Sequence, residues 1–455
     1  MARYLAIDIG ASSGRHISAE IRDGILVTEE IYRFPNGAKE EGGRLFWDAE
    51  VLFAEIVEGL KKAGEIGKAP DYVGIDTWAV DYVLLDEGGR PGKVFCYRDA
   101  RGGLMKERAH SLMPFGELYA RTGIQYQPFN TLYQLLDDKG RGALEGAESL
   151  LMLPDYFNWR LTGVMRQEYT NATSTGMVNA KTHTWDEDIL RAFGYSRRLF
   201  GKLTQPGSAV GRFSPETERR IGYSAVVMLP ATHDTASAVL AAPTEDGQPY
   251  ISSGTWSLLG IERPEAICKK EALLCNYSNE GSVNFGFRFQ KNIMGLWMIQ
   301  QARKEWGSVH SFGELADMAR ECPTDKTVDV NDESFLAPES MLEAIYAKAG
   351  KMGVGETAYC IFNSLAECNA RSLAELERLT GKTYDTLHII GGGCKNGLLN
   401  ELTAQKTGKK VTAGPVEGTA IGNIIMQAIG TGEIGSLAEA RKMAERSFDI
   451  TEVRT

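Results

Sequence analysis

Three polar clusters in this chain have residue types that do chemistry. The first, Thr232-His233-Asp234-Thr235, follows an apolar run ending at Pro230 and opens a helix of small residues. A carboxylate at such a junction either caps the helix through backbone amides or takes a proton from an alcohol. The second, Asp76-Thr77-Trp78-Ala79-Val80-Asp81, lies between two strand-like runs within residues 72–86. Asp76, Thr77 and Asp81 suit sugar hydroxyls, and Trp78 either covers the apolar face of a sugar or packs in the core. The third is Asp8-Ile9-Gly10-Ala11-Ser12-Ser13-Gly14-Arg15. Small residues at this turn let backbone amides close on an anion, with Gly10 and Gly14 able to take positive φ. Ser12 and Ser13 add donors, and Arg15 adds a fixed positive charge. Asp8 would repel phosphate here unless a bound Mg²⁺ reversed the sign. The alternative is a polar hairpin with a solvated carboxylate.

The elements that must position these clusters are legible as patterns. Leu5-Ala6-Ile7 reads as a buried strand, Arg15–Ala19 as its hairpin partner, and Gly24–Phe34 as a third strand. Trp47–Ala63 has helical periodicity, with Asp48 as N-cap. Residues 100–200 are mostly helical, with a Thr/Ser/Gly loop at Tyr169–Met177. Tyr250–Glu262 repeats the opening pattern of strand, Ser-Ser-Gly-Thr turn and strand. Two such hairpins, one per half, predict a clamp on a polyphosphate. Asn292–Trp306 reads as one amphipathic helix carrying Gln300, and Glu356–Thr380 as a long helix. Leu387–Ile390 is a strand running into Gly391-Gly392-Gly393 and a helix, a flat backbone surface on which adenine or ribose could lie.

Composition narrows what these clusters serve. The 455 residues suffice for two or three domains. A net charge of −10 argues against nucleic acid or an anionic membrane as partner. Seven scattered cysteines without a C-x-x-C, and no apolar run near the roughly 20 residues of a membrane helix, point to a cytoplasmic protein. There is no G-x-x-x-x-G-K-[ST]. The formal G-x-G-x-x-G at Gly430, Gly432 and Gly435 follows a helical pattern, so it is not a dinucleotide site.

Taken together, DIGASSGR (8–15), DTWAVDY (76–82), CYRD (96–99), TGIQYQPFNTLYQL (122–135), THDTAS (232–237), SSGTWS (252–257), NIMGLW (292–297) and IIGGGCKN (389–396) resemble the FGGY carbohydrate kinases, in order over nearly the whole chain. The ASSGR turn and residues 122–135 resemble the rhamnulokinase branch. The resemblance implies two α/β domains of the actin and hexokinase (ribonuclease H-like) type, with ATP and sugar in a cleft. Residues 1–242 would bind sugar and phosphate, and 243–455 nucleotide. Ala11, Ser12, Ser13, Gly14 and Arg15 would cradle phosphates, and Thr255, Gln300, Gly392 and Gly393 would face the nucleotide. Ala79, His233, Asp234, Thr235 and Asn292 would join Thr77, Trp78 and Asp81 around the sugar, with Asp234 as general base and Asp8 positioning Mg²⁺. The implied reaction is ATP-dependent phosphorylation of L-rhamnulose at carbon 1. One departure stands out: the branch carries glycine where this chain has Ala79, so another ketose or polyol, such as fuculose or xylulose, is the alternative. A non-catalytic ATP-binding switch on the same fold would need the hairpins but neither Asp234 nor the 76–81 cluster. The partners implied are a sugar and ATP, with monomer or homodimer both open.

Overall fold

In the computed structural model, which describes residues 2–244, 247–336 and 338–454, the run Leu5–Ile7 lies inside strand β1 (Arg3–Ile9) and is fully buried. Its apolar residues are continuous because both faces of the strand are covered. β2 (Ser13–Arg22) returns antiparallel to β1 and continues into β3 (Ile25–Pro35). β4 (Tyr72–Thr77) runs parallel to β1 on its other side, in a register that sets Asp76 opposite Asp8. β5 (Ala209–Arg212) and β6 (Val226–Met228) complete a six-stranded sheet in the order β5-β6-β4-β1-β2-β3.

On one face, Leu5, Ile7, Ile9, Val73 and Ile75 share a core with Leu52, Ile56 and Leu60 of the helix Ala49–Glu65. That helix starts where Asp48 Oδ1 accepts from the amide of Val51 at 3.0 Å. The other face is covered by the helix Gly418–Gly430, whose Gln427 Nε2 donates to the carbonyl of Leu5 at 3.1 Å. Gly74 permits this approach, since a Cβ there would lie 2.4 Å from Asn423 Oδ1. A second core, built around Leu132, Leu135, Leu150, Met177, Ile189 and Phe193, lies beneath the segment between β4 and β5. Tyr169–Thr173 is a helix rather than a loop, because Glu168 caps it from both carboxylate oxygens. Residues 263–289 and 419–447 belong to this first unit along with residues up to 241.

The second unit holds residues 242–262, 290–418 and 448–455. β7 (Tyr250–Ser253) and β8 (Trp256–Arg263) form a hairpin, and β9 (Phe287–Met294) follows in the chain. β10 (Thr386–Ile390) is parallel to β7, β11 (Lys410–Ala413) is parallel to β10, and β12 (Thr451–Glu452) closes the edge antiparallel. Within a seven-stranded sheet, the consecutive strands β9-β8-β7-β10-β11-β12 repeat the first unit's plan of a hairpin flanked by parallel strands. The helix expected at Asn292–Trp306 is shorter, Trp297–Glu305, and Asn292 lies on β9 instead. Gly295 ends the strand, pressed within 2.7 Å (as a Cβ) of the carbonyls of Gly254 and Thr255. No described helix is long and apolar enough to cross a membrane.

Two helices of the first unit cross closely at Gly422, where an added Cβ would meet the carbonyl oxygen of Ser237 at 1.7 Å. Gly422→Ala is expected to destabilise by at least about 1–3 kcal/mol, because the clash is with backbone. Gly116→Ala, in a helix with nothing near its Cβ position, should be neutral or stabilising by up to about 1 kcal/mol. Thermal unfolding midpoints of the two variants check both signs.

Candidate active site

Asp234 is the first residue of the helix Asp234–Leu240, and His233 is the residue before it. The Asp234 carboxylate accepts from the amide of its own neighbour Thr235 at 2.5 Å, with about a third of its side chain exposed. Its position is set from two sides. The amide of Thr77 donates to the carbonyl of Thr232 at 3.0 Å, which extends β4 into a one-pair bridge with His233. Glu168, fully buried, accepts from the amide of Thr232 at 3.2 Å and from its hydroxyl at 2.7 Å. Burial is the main cause that holds Asp234 above the usual carboxylate range; Asp8 adds repulsion, and His233 with the Thr235 hydrogen bonds pulls the other way. His233 Nε2 stands 3.4 Å from Asp234 Oδ1. Behind it, His233 Nδ1 lies 3.1 Å from Arg288 Nη2 and 3.3 Å from Glu280 Oε2. Thr235 is half-buried beside Asp234 and donates its hydroxyl to Asp234 Oδ1 at 3.2 Å.

The β1–β2 turn keeps Ser12 exposed and Ala11 and Ser13 half-buried, closed by the amide of Gly10 donating to the carbonyl of Ser13 at 2.9 Å. The expected positive φ is absent at both glycines. Gly14 serves a close approach instead, since a Cβ there would sit within 2.1 Å of the Phe34 ring. Arg15 is turned back onto Asp8, donating to Asp8 Oδ2 from Nε at 3.0 Å and Nη2 at 2.7 Å. Opposite Asp8, Asp76 is fully buried. Its Oδ2 accepts from Asn423 Nδ2 at 2.5 Å, and its Oδ1 has no hydrogen-bond partner among the described residues. Burial first, then the charges of Asp8 and Asp234, hold Asp76 well above the usual carboxylate range. Among the described residues, no three His, Cys, Asp or Glu side chains converge tightly enough to hold a metal alone. Asp8 and Asp76 on adjacent strands still fit Mg²⁺, which binds through one or two carboxylates and completes its shell with water and phosphate oxygens.

Trp78 and Asp81 are turned inward, which corrects the sugar-platform reading of both. Asp81 Oδ2 accepts from Trp47 Nε1 at 2.6 Å, Trp78 Nε1 at 2.8 Å and the amide of Tyr97 at 3.0 Å, while Oδ1 accepts from Gln134 Nε2 at 3.2 Å. The Trp78 ring lies 4.3 Å from that of Trp47 in the first core. Thr77 is buried too, its hydroxyl donating to the carbonyl of Trp78 at 2.7 Å. Between Thr77 and Asp81, Ala79 is half-buried and its neighbours are buried. Val80 adopts φ 69°, and its carbonyl accepts from Thr131 Oγ1 at 2.7 Å and Gln134 Nε2 at 3.3 Å.

In the second unit, the hairpin turn, Gln300 and the triple glycine come together. Thr255 Oγ1 donates to Gln300 Oε1 at 3.4 Å, and the amide of Trp297 donates to the carbonyl of Thr255 at 3.1 Å. Gly393 lies against Ser253, where a Cβ would be 2.0 Å from Oγ, while the Cβ position of Gly392 faces open space. Asn292 is half-buried on β9. Glu168, Glu280, Arg288 and Asn423 escaped sequence reasoning because the site residues they serve lie far from them along the chain. The available signal was Arg288, an arginine inside the apolar run Phe287–Phe289.

The model of the N-terminal domain of the FGGY family of carbohydrate kinases matches residues 3–241, and that of the C-terminal domain matches 249–431. A rhamnulokinase of Halalkalibacterium halodurans is 46% identical over 456 residues, 98% of this chain and 97% of that protein. A rhamnulokinase of Bacillus subtilis is 42% identical over 98% of this chain and 94% of that protein. Among solved structures, the ligand-bound xylulose kinase from Lactobacillus acidophilus matches with a TM-score of 0.82 at 15% identity, over 99% of this chain and 93% of that one. Glycerol kinase from Plasmodium falciparum with ADP matches with a TM-score of 0.80 at 14% identity, over 100% and 94%. The fold is the two-domain, actin-like α/β fold of these kinases.

Asp81 generates a pH prediction. Four donors favour its ionised form, but burial is the largest effect and pushes it from 3.8 up to about 6. Between those values the folded chain keeps a proton that the unfolded chain has released, so stability falls as pH rises through this window, by at most about 3 kcal/mol. Below and above the window this group adds no slope. In Asp81→Asn that slope should vanish, and an amide nitrogen facing N–H donors should lower stability by about 1–3 kcal/mol at low pH. Urea midpoints from pH 3.5 to 7.5, with near-ultraviolet circular dichroism following Trp47 and Trp78, check both.

Proposed function

The chain belongs to the FGGY family of carbohydrate kinases, and on that footing we propose that it transfers the γ-phosphoryl group of ATP to the primary hydroxyl at carbon 1 of L-rhamnulose. The substrate assignment draws on the curated rhamnulokinases at 42–46% identity over nearly the full chain. The observation that carries the chemistry is Asp234, a half-open carboxylate held above its ordinary pKa at a helix start, within 3.4 Å of His233. A base must reach the hydroxyl and prefer the proton at the moment of attack.

Asp234 takes the proton as the sugar oxygen forms its bond to the γ-phosphorus, and the bond from that phosphorus to the bridging oxygen breaks with its electrons on ADP. Thr235 and His233 bind sugar hydroxyls, and Ala79 sets the room available at the wall of the pocket. Trp78, Thr77 and Asp81 act from behind, fixing Ala79. Ser12, Ser13 and the amides of Ala11–Arg15 hold phosphates in the first unit. Thr255, Gln300, Gly392 and Gly393 hold nucleotide in the second, with the open side of Gly392 suited to a flat ring. Asp8 and Asp76 would hold Mg²⁺, which offsets charge on the phosphates when bound. Seven cysteines without a disulfide, and the need for ATP, support a cytoplasmic setting.

A coupled ADP-release assay across ketoses and polyols tests this reading. The expected result is the highest kcat/KM with L-rhamnulose, and a kcat lowered about 10²-fold or more in Asp234→Asn. Ala79→Gly should improve or broaden activity, since a one-methyl misfit is worth about 10- to 200-fold in kcat/KM. A different preferred ketose, moved toward L-rhamnulose by Ala79→Gly, would change the substrate and keep the reaction. ATP turnover that no ketose or polyol raises would instead leave a non-catalytic ATP switch.

A further inference from the structure

Arg288 is fully buried, and it spends its guanidinium on a carboxylate, a carbonyl and a histidine ring. Its Nη2 lies 3.1 Å from Glu280 Oε2 and 3.1 Å from His233 Nδ1, and its Nε donates to the carbonyl of Gly281 at 3.2 Å. Glu280 is buried as well, with Oε2 3.3 Å from the same His233 Nδ1. One imidazole nitrogen therefore faces a group that only donates and a group that, ionised, only accepts.

The consequence for His233 is definite. When the ring is neutral, the shorter contact is a hydrogen bond only if Nδ1 is bare and accepts from Arg288, which places the ring proton on Nε2. When the ring is protonated, Nδ1–H donates to Glu280 and Nε2 again carries a proton. In both states Nε2–H is presented to Asp234 Oδ1, 3.4 Å away. A lone glutamate in this place would draw the neutral ring's proton to Nδ1 and leave a bare Nε2 facing the Asp234 carboxylate. We propose that Arg288 and Glu280 are positioning residues that hold His233 in the tautomer with Nε2–H toward Asp234, keeping that carboxylate oriented and ionised for the sugar hydroxyl. The proposal rests on Asp234 being the base.

Long-range nitrogen–proton correlation spectra of isotope-labelled full-length chain read the tautomer directly, with His233 assigned among the six histidines by the signal lost in His233→Gln. The expected wild-type pattern of the neutral ring is Nε2–H with bare Nδ1. Arg288→Met should move the neutral ring to Nδ1–H and lower kcat by at least about tenfold, part of the roughly 10²- to 10⁴-fold that general-base catalysis carries. Adding Glu280→Gln to Arg288→Met supplies an amide donor to Nδ1, so Nε2–H and part of kcat should return. A purely structural role predicts the opposite, a double variant slower than the single. A wild-type ring protonated at Nδ1 would overturn the proposal even if no variant folded, and so would an Arg288→Met protein with its tautomer unchanged. If the tautomer responds as expected while Asp234→Asn keeps normal turnover, the positioning stands and Asp234 is not the base.

Discussion

Crowded negative charge is the constraint on which the first unit depends. Asp8, Asp76, Asp234 and Glu280 are all buried or half-buried there, and ionised carboxylates out of water are costly unless something compensates each one. The chain supplies four different answers. Arg15 folds back on Asp8, Asn423 donates to Asp76, His233 stands beside Asp234, and Arg288 holds Glu280. These partners come from the first hairpin, from the helix Gly418–Gly430, from the 232–235 segment and from β9, so the fold has to be complete before the charges are tolerable. The compensation is also incomplete: Asp76 keeps one oxygen without a partner among the described residues. A carboxylate set left partly unsatisfied in this way is suited to a reaction that delivers both a cation and a proton.

How much of this was legible in the sequence divides by distance along the chain. Hairpins with Ser/Gly turns, the helix capped by Asp48 and the strand–glycine–helix at 386–407 are local patterns, and the structure has each of them. Asp234 as a helix opener was equally visible. The role of Trp78 and Asp81 was not, because an indole flanked by carboxylates looks the same whether it faces solvent or core. What decides it is Trp47, Tyr97 and Gln134 reaching Asp81 from elsewhere. Glu168, Arg288 and Asn423 were illegible for the same reason, since each reaches a site residue at least 55 positions away.

The two units share a plan, yet the glycine packed at the hairpin lies within it in the first unit and just after β9 in the second. In the first hairpin, Gly14 makes room for the ring of Phe34 on β3. In the second, Gly295 makes room for the turn carbonyls themselves, and the amides of Leu296 and Trp297 then donate to Gly254 and Thr255. The first turn is thereby left accessible at Ser12, whereas the second is tied to the start of the helix that carries Gln300. A repeated local pattern predicts a repeated backbone, and what each copy touches is settled by the residues that follow it.

Val80 has a consequence that reaches beyond the site. A β-branched residue in the left-handed region costs of order 1–3 kcal/mol, and here it is buried and pinned through its carbonyl by Thr131 and Gln134. Its neighbour Ala79 is the residue of that turn that reaches the surface. Glycine would remove that strain, but it would also give up the buried isopropyl group of Val80, a loss of similar or larger size. The same replacement would slacken the backbone that holds Ala79 in place. The strained dihedral and the buried side chain are therefore kept together, and a lineage adapting to warmer conditions would find its stability elsewhere.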